Sequence, residues 1–253
     1  MNTLPTLQTK SAIFLIIIGY LFNKGDRNTY YSILLLILFV VAIIFTGERS
    51  NSIKAFLGAS AFLLIVRGIK FQHKIVFFIS SLLLILVIIF NSSYLKNRFY
   101  GQIKNSLNDN IYFELYKSGY QVFKNNQIFG VGNKNYRVET CDYNKALSVD
   151  GGNKYICTTH PHQIYFDFLS EHGLFGTIIL LFIFYKLIFL KTKETIAGSN
   201  YLKLGSFIYL FLVFIPIIPS GAFFNDYMLT MFTINLSIFY ASDKNMNIFK
   251  HFK

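Results

Sequence analysis

Apolar residues gather in seven runs, near 11–22, 29–45, 53–66, 75–90, 174–190, 204–218 and 227–241, with short polar breaks between them and one long polar stretch after the fourth. Continuous apolar runs of this length predict membrane-crossing helices. Thr29 to Phe45 covers 17 residues, about 26 Å of helix and most of a hydrocarbon core, and Ile75 to Phe90 holds no charge at all. Two runs strain the pattern: the first has only 12 residues, and the third crosses only if Lys54 reaches back toward the surface. The first run reads as a span rather than a signal peptide, since no basic segment precedes it and no small-residue cleavage site follows. The predicted fold is all-α, a polytopic integral membrane protein of about seven transmembrane helices. Its expected divisions are four N-terminal spans (1–90), a long extracytoplasmic loop containing short helices (91–173), and three C-terminal spans with a cytoplasmic tail (174–253).

Composition supports the membrane reading: 53% of residues are hydrophobic and 14% charged, against roughly 25% charged in soluble domains. The basic residues set the orientation. With the long loop outside, the inner segments 23–28, 67–74, 191–203 and the tail from Ser242 hold nearly all the lysines and arginines of the short connections, and the short outer segments hold only Lys10 and Arg49. The positive-inside rule selects this arrangement, and the charges of a long loop do not count against it. The net charge of +12 is therefore mostly topology. It also suits the loop to an anionic lipid headgroup or lipid pyrophosphate, and the compartment excludes nucleic acid. A transporter would place ionisable groups near mid-membrane. Here the only charge well inside a secure span is Lys186, a turn from the inner end.

Along the polar stretch, Ile111, Leu115, Gly119, Val122 and Phe123 recur at helical spacing, with Tyr112, Tyr116 and Tyr120 as a second stripe, which predicts an interfacial helix near 110–124. Gly130-Val131-Gly132-Asn133 reads as a turn rather than a phosphate loop, because no strand precedes it. Residues 133–158 are expected to be irregular. The chain's two cysteines, Cys141 and Cys157, both fall in this stretch, the one compartment where a disulfide persists, and are expected to be bonded. Their spacing fits no zinc motif, so no metal is expected.

The chemistry concentrates in His160-Pro161-His162-Gln163. Pro161 is expected at the first position of a helix, which places His162 in the first turn, where the helix dipole disfavours imidazolium. A neutral imidazole is a competent general base, although a surface histidine bonded to its neighbours gives the same pattern. Asp167 and Glu171, five and nine residues after His162, are expected to be solvated helix-face charges, with orientation of an imidazole as the alternative. Arg49, within Thr46-Gly47-Glu48-Arg49-Ser50-Asn51, shares the outer face with Arg98 and Arg137. An arginine there is either an interfacial anchor or a fixed fork for phosphate oxygens. The connection Pro219 to Asp226 is a candidate pocket lip.

Three segments together resemble the O-antigen ligase and O-antigen polymerase superfamily of bacterial envelope glycosyltransferases. They are Thr46 to Asn51; Ile128-Phe129-Gly130-Val131-Gly132 followed by His160-Pro161-His162-Gln163 and Glu171-His172-Gly173-Leu174-Phe175-Gly176; and Pro219 to Asn225. The resemblance spans about residues 29 to 241. It departs from the family at Gln163, where the motif has Asn, and in length, since members have about ten to twelve spans. What it implies is an enzyme of the bacterial inner membrane with its active face in the periplasm, working without cofactor or metal. Such an enzyme moves a glycan from an undecaprenyl-pyrophosphate-linked donor to a lipid A-core acceptor and inverts the anomeric centre. His162 would be the base with His160 beside it, and Arg49 and Arg98 would bind the pyrophosphate. A polymerase joining lipid-linked repeats, and a truncated non-catalytic relative serving as a binding or assembly subunit, are the alternatives.

Overall fold

The computed structural model describes residues 10–25, 27–102, 104, 111–142, 155–216 and 218–243. All regular structure among them is helical. In chain order the helices are α1 (Lys10–Asn23), α2 (Arg27–Phe45), α3 (Arg49–Ile65), α4 (Phe71–Asn91), α5 (Ser93–Lys96), α6 (Ile111–Asn125), α7 (Tyr136–Cys141), α8 (Ile164–Leu187), α9 (Thr192–Ala197), α10 (Tyr201–Val213) and α11 (Asp226–Ala241). Two compact units result. The first takes residues 1–105, 191–213 and 230–253, and the second 106–190 and 214–229.

In the first unit, α1 lies against α10 through paired glycines. A Cβ on Gly19 would fall 2.3 Å from the Tyr201 carbonyl oxygen, and one on Gly205 would fall 2.2 Å from that of Leu15. Small residues let the two backbones touch, the usual device where helices associate without a hydrophobic drive from water. Phe14, Leu15, Ile18, Phe207 and Ile208 are buried around this contact. Helix α4 behaves differently: of its 21 residues only Ile85 is buried. An apolar helix with exposed sides needs an apolar solvent. Among the described residues it is one of two helices long and apolar enough to cross a bilayer, the other being α8 with its continuation to Ala197. Helices α1, α2, α3, α10 and α11 coincide with the remaining apolar runs but are shorter. The sixth run was expected to stay helical to 218. It stops at Val213 because Pro216 and Pro219 follow, and proline can supply no helical N–H.

In the second unit, α6 is helical as its spacing predicts, but its Leu115, Ser118, Gly119 and Val122 face turns into protein. Val122, Tyr136 and Tyr155 form a small core. The Ser118 and Tyr136 hydroxyls lie 3.0 Å apart inside it. Residues 133–158 are not irregular throughout, since Tyr136–Cys141 is a helical turn; residues 143–154 lie outside the described residues. Helix α8 is kinked at Gly173, where φ is 63°. The kink separates a polar piece, Ile164 to His172, from the apolar piece that begins at Leu174.

Candidate active site

The helix carrying the histidine motif begins later than its sequence predicts. Gln163, not a residue before Pro161, is the N-cap: its Oε1 accepts from the backbone N–H groups of Tyr165 at 2.8 Å and Phe166 at 2.9 Å. Its Nε2 donates to the Pro216 carbonyl at 2.8 Å. The longer amide therefore satisfies the helix start with one end and holds a second segment with the other. Pro161 and His162 precede the helix, so the dipole of its first turn is not what keeps His162 neutral.

His162 has φ of 58°, a left-handed conformation that costs a non-glycine residue on the order of 1 kcal/mol. The reversal brings the His162 ring to 4.1 Å from that of His160 and sets it edge-on to Tyr112 at 6.1 Å. His160 Nδ1 lies 2.9 Å from the Thr159 hydroxyl. Burial pushes the His160 pKa down to about 4, the neighbouring His162 adds to that, and the Ser220 backbone partly offsets it. Burial also lowers His162 from its ordinary value. Both imidazoles are neutral around pH 7.

Asp167 and Glu171, expected in solvent, are 2% and 5% exposed. Helical spacing on this piece faces a second protein segment rather than water, which is why the expectation failed. Asp167 Oδ2 accepts from the Phe223 N–H at 3.0 Å, whereas Oδ1 is buried without a hydrogen-bond partner among the described residues. Burial raises this carboxyl to about 7, against the Phe223 bond and with a push from Glu171. Glu171 is raised by burial too, and the backbone N–H groups of Lys134 and Tyr136 pull it back.

Backbone pairing also joins two motif segments far apart in sequence. The N–H groups of Val131 and Gly132 donate to the Ser170 and Glu171 carbonyls at 2.9 and 2.8 Å, and those of Leu174 and Phe175 donate to Gln127 and Ile128 at 2.7 and 3.2 Å. The approach admits no side chain at its centre. A Cβ on Gly130 would sit 2.4 Å from the Glu171 carbonyl carbon, and one on Gly173 would sit 2.3 Å from the Ile128 oxygen. The Gly130-Val131-Gly132 turn is thus a seat for the kink of α8. Cys141, ending α7, is bonded to Cys157, three residues before His160, with Cα atoms 4.5 Å apart. Arg137 is exposed on α7.

The first unit holds the expected arginines. Residues Asn97–Gly101 form a π turn after α5 that carries Arg98 onto the connection between α2 and α3. Arg98 Nε donates to the Gly47 carbonyl at 3.3 Å and an Nη donates to Gln102 Oε1 at 3.0 Å. Tyr94 donates to the Thr46 carbonyl at 3.4 Å. Arg49, the first residue of α3, is half-buried, and among the described residues its guanidinium makes no hydrogen bond or ion pair, not even with Glu48. Asn51 is 2% exposed, and its Nδ2 also has no hydrogen-bond partner. No group of three or more His, Cys, Asp or Glu side chains is arranged to hold a metal ion among the described residues.

Sequence reasoning offered Asp167 as one reading of an imidazole orienter and Pro219 to Asp226 as a pocket lip, but missed the bonds that tie Phe223 to Asp167 and Ser220 to the His162 carbonyl. Its one signal was the odd richness of 219–226 in small and aromatic residues. Residues 33–181, more than half of the chain, match the family model described as O-antigen ligase. No curated protein and no solved structure matches.

Proposed function

The chain belongs to the O-antigen ligase family, and on that premise we propose that it transfers a glycan from undecaprenyl pyrophosphate to a sugar hydroxyl of a lipid A-core acceptor, with His162 as general base. The family is one of membrane-associated, glycosyltransferase-like enzymes of bacteria that act on lipid-linked glycans. The reading places residues 91–173 on the periplasmic side of the inner membrane between four and three spans.

The observation that carries it is the histidine turn itself: two neutral imidazoles held 4.1 Å apart by a left-handed residue within the region that matches the family. A base must be unprotonated before it can accept a proton, and burial secures that for His162. The acceptor hydroxyl gives its proton to the imidazole as its oxygen attacks the anomeric carbon. The bond from that carbon to the pyrophosphate oxygen breaks, and undecaprenyl pyrophosphate departs with the electron pair. Attack from the face opposite the leaving group inverts the anomeric configuration. Negative charge grows on the pyrophosphate, and a fixed guanidinium is suited to it because it stays charged and offers a planar fork of donors. Arg49, with its guanidinium uncommitted among the described residues, serves that role best. Arg98, tied to Gly47 and Gln102, serves by shaping the corner and lending charge.

Product analysis tests the assignment. A strain lacking the protein accumulates polymerised lipid-linked glycan and displays core lipid without the polymer. Accumulation of single lipid-linked repeats would instead identify a polymerase, and an unchanged envelope glycan profile would overturn the reading.

A further inference from the structure

The segment Phe214 to Phe223 is fastened to the histidine motif at four points, all within the second unit. Tyr165 donates its hydroxyl to the Phe214 carbonyl at 2.7 Å, and Gln163 donates its amide to the Pro216 carbonyl at 2.8 Å. The Ser220 N–H donates to the His162 carbonyl at 2.9 Å, and the Phe223 N–H donates to Asp167 at 3.0 Å. The third bond acts on the reactive residue directly. A left-handed backbone at His162 is unfavourable in isolation and persists only where its surroundings over-determine it. The Ser220 bond holds the His162 carbonyl in the direction that φ of 58° gives it. Ser220 in turn is held by fastenings on both sides, at Pro216 and at Phe223.

The last fastening is the least expected from chemistry alone. A carboxyl at 2% exposure costs free energy unless it is bonded, yet Oδ1 has no partner among the described residues. A residue that served only to fill space would be apolar here, packed as it is beside Phe168 and Phe223, whose rings meet edge to face at 5.3 Å. The carboxyl is spent on one backbone N–H that would otherwise be buried and unpaired. Phe223 anchors that end by packing against Phe184 and Phe214 as well, at 5.4 and 6.4 Å.

We infer that Asp167 and Gln163 are positioning residues: by clasping the Pro216 to Phe223 segment they hold the Ser220 N–H on His162 and so fix the ring of His162 beside His160. The inference rests on His162 being the base. Neither residue touches substrate in this account, and each acts through the segment it holds. The groups that face His162 are His160 from its own turn and Tyr112 from α6.

The test uses the full chain in lipid, with a lipid-linked glycan donor and a core-lipid acceptor, and compares Asp167→Ala, Asp167→Asn, Gln163→Ala and His162→Ala at equal amounts of folded protein. Asp167→Ala is expected to lower kcat by up to about 10²-fold with KM little changed, since a small misdirection of a reacting group costs that much. Asp167→Asn, which keeps an acceptor for the Phe223 N–H, recovers most of the loss. The acid limb of the rate profile in Asp167→Ala and Gln163→Ala moves up toward the ordinary histidine value of 6.5, because the freed ring regains water. A stability defect alone would reduce the folded yield and leave kcat and the limb where they were, and that result overturns the inference. If His162→Ala is inactive while both clasp variants keep the wild-type kcat and limb, the clasp is refuted and the function stands. If His162→Ala is fully active, the functional reading itself fails, and the clasp with it.

Discussion

At the histidine turn the protein fixes backbone and ring together, with the His162 carbonyl, the Gln163 amide and the Asp167 carboxyl all bonded to one segment. At the arginine corner the fixed part is the loop. Arg98 and Tyr94 bond to the backbone of Gly47 and Thr46, and Arg49 is half-exposed with its guanidinium uncommitted among the described residues. The two roles proposed for these regions ask for this difference. A base works only when a neutral nitrogen points along one line, and burial with a rigid frame provides both. Stabilising a departing pyrophosphate, the role proposed for Arg49, needs charge and several donors in a planar fork, which a half-buried guanidinium on an ordered loop offers.

Breaking the frame of the histidine region should have the largest consequence. Gly173→Ala forces a Cβ to within 2.3 Å of a backbone oxygen and demands φ of 63° from alanine, so it is expected to prevent accumulation of folded protein, read as yield and melting in detergent. A smaller effect, confined to chemistry, is expected at the other region: Arg49→Ala lowers transfer on the order of 10²-fold at unchanged melting temperature, and Arg49→Lys recovers part of it. Equal losses from Arg49→Ala and Arg49→Lys would mean that the fork, rather than charge, is what counts. Replacing Cys141 and Cys157 by serine opens a loop of 16 residues' separation and is expected to remove about 3 kcal/mol of stability from the second unit, measured by denaturant unfolding.

Acid contrasts the regions more gently. The His160 value is depressed to about 4 in the folded protein, so between 6.5 and 4 the unfolded chain binds a proton that the folded one excludes. The stability from this neutral imidazole is therefore complete above pH 6.5 and is lost as pH falls toward 4. Melting followed from pH 7.5 to 4.5 should fall in the wild type and fall less in His160→Gln. The smallest effect belongs to Lys134→Ala. Its ion pair with Asp226 spans 3.2 Å, but both side chains are largely exposed, so melting should not change measurably.

How much was legible in the sequence differs between the two regions as well. Apolar runs gave the helices of the first unit to within a few residues, because burial from water or exposure to lipid acts on each segment locally. The exception is the end of α10 at Val213, where Pro216 interrupts an apolar run that otherwise continues to 218. In the second unit the histidines were legible as chemistry and Ile128 to Gly132 as a motif, yet nothing local states that Gly130 seats against the Gly173 kink. Asp167 looked like a solvated charge because its helical period carries no mark of the Phe223 N–H that waits for it across 56 residues. Left-handed φ at His162 was equally invisible, since its residue type does not call for it and the Ser220 N–H that meets its carbonyl lies 58 residues away.

The central claim is that His162 accepts the proton of the attacking hydroxyl. It is tested most directly by measuring glycan transfer from a lipid pyrophosphate donor to core lipid with purified wild-type and His162→Ala protein in lipid. The account predicts a loss of roughly 10²- to 10⁴-fold in kcat at unchanged folding. Transfer by His162→Ala at the wild-type rate would contradict it.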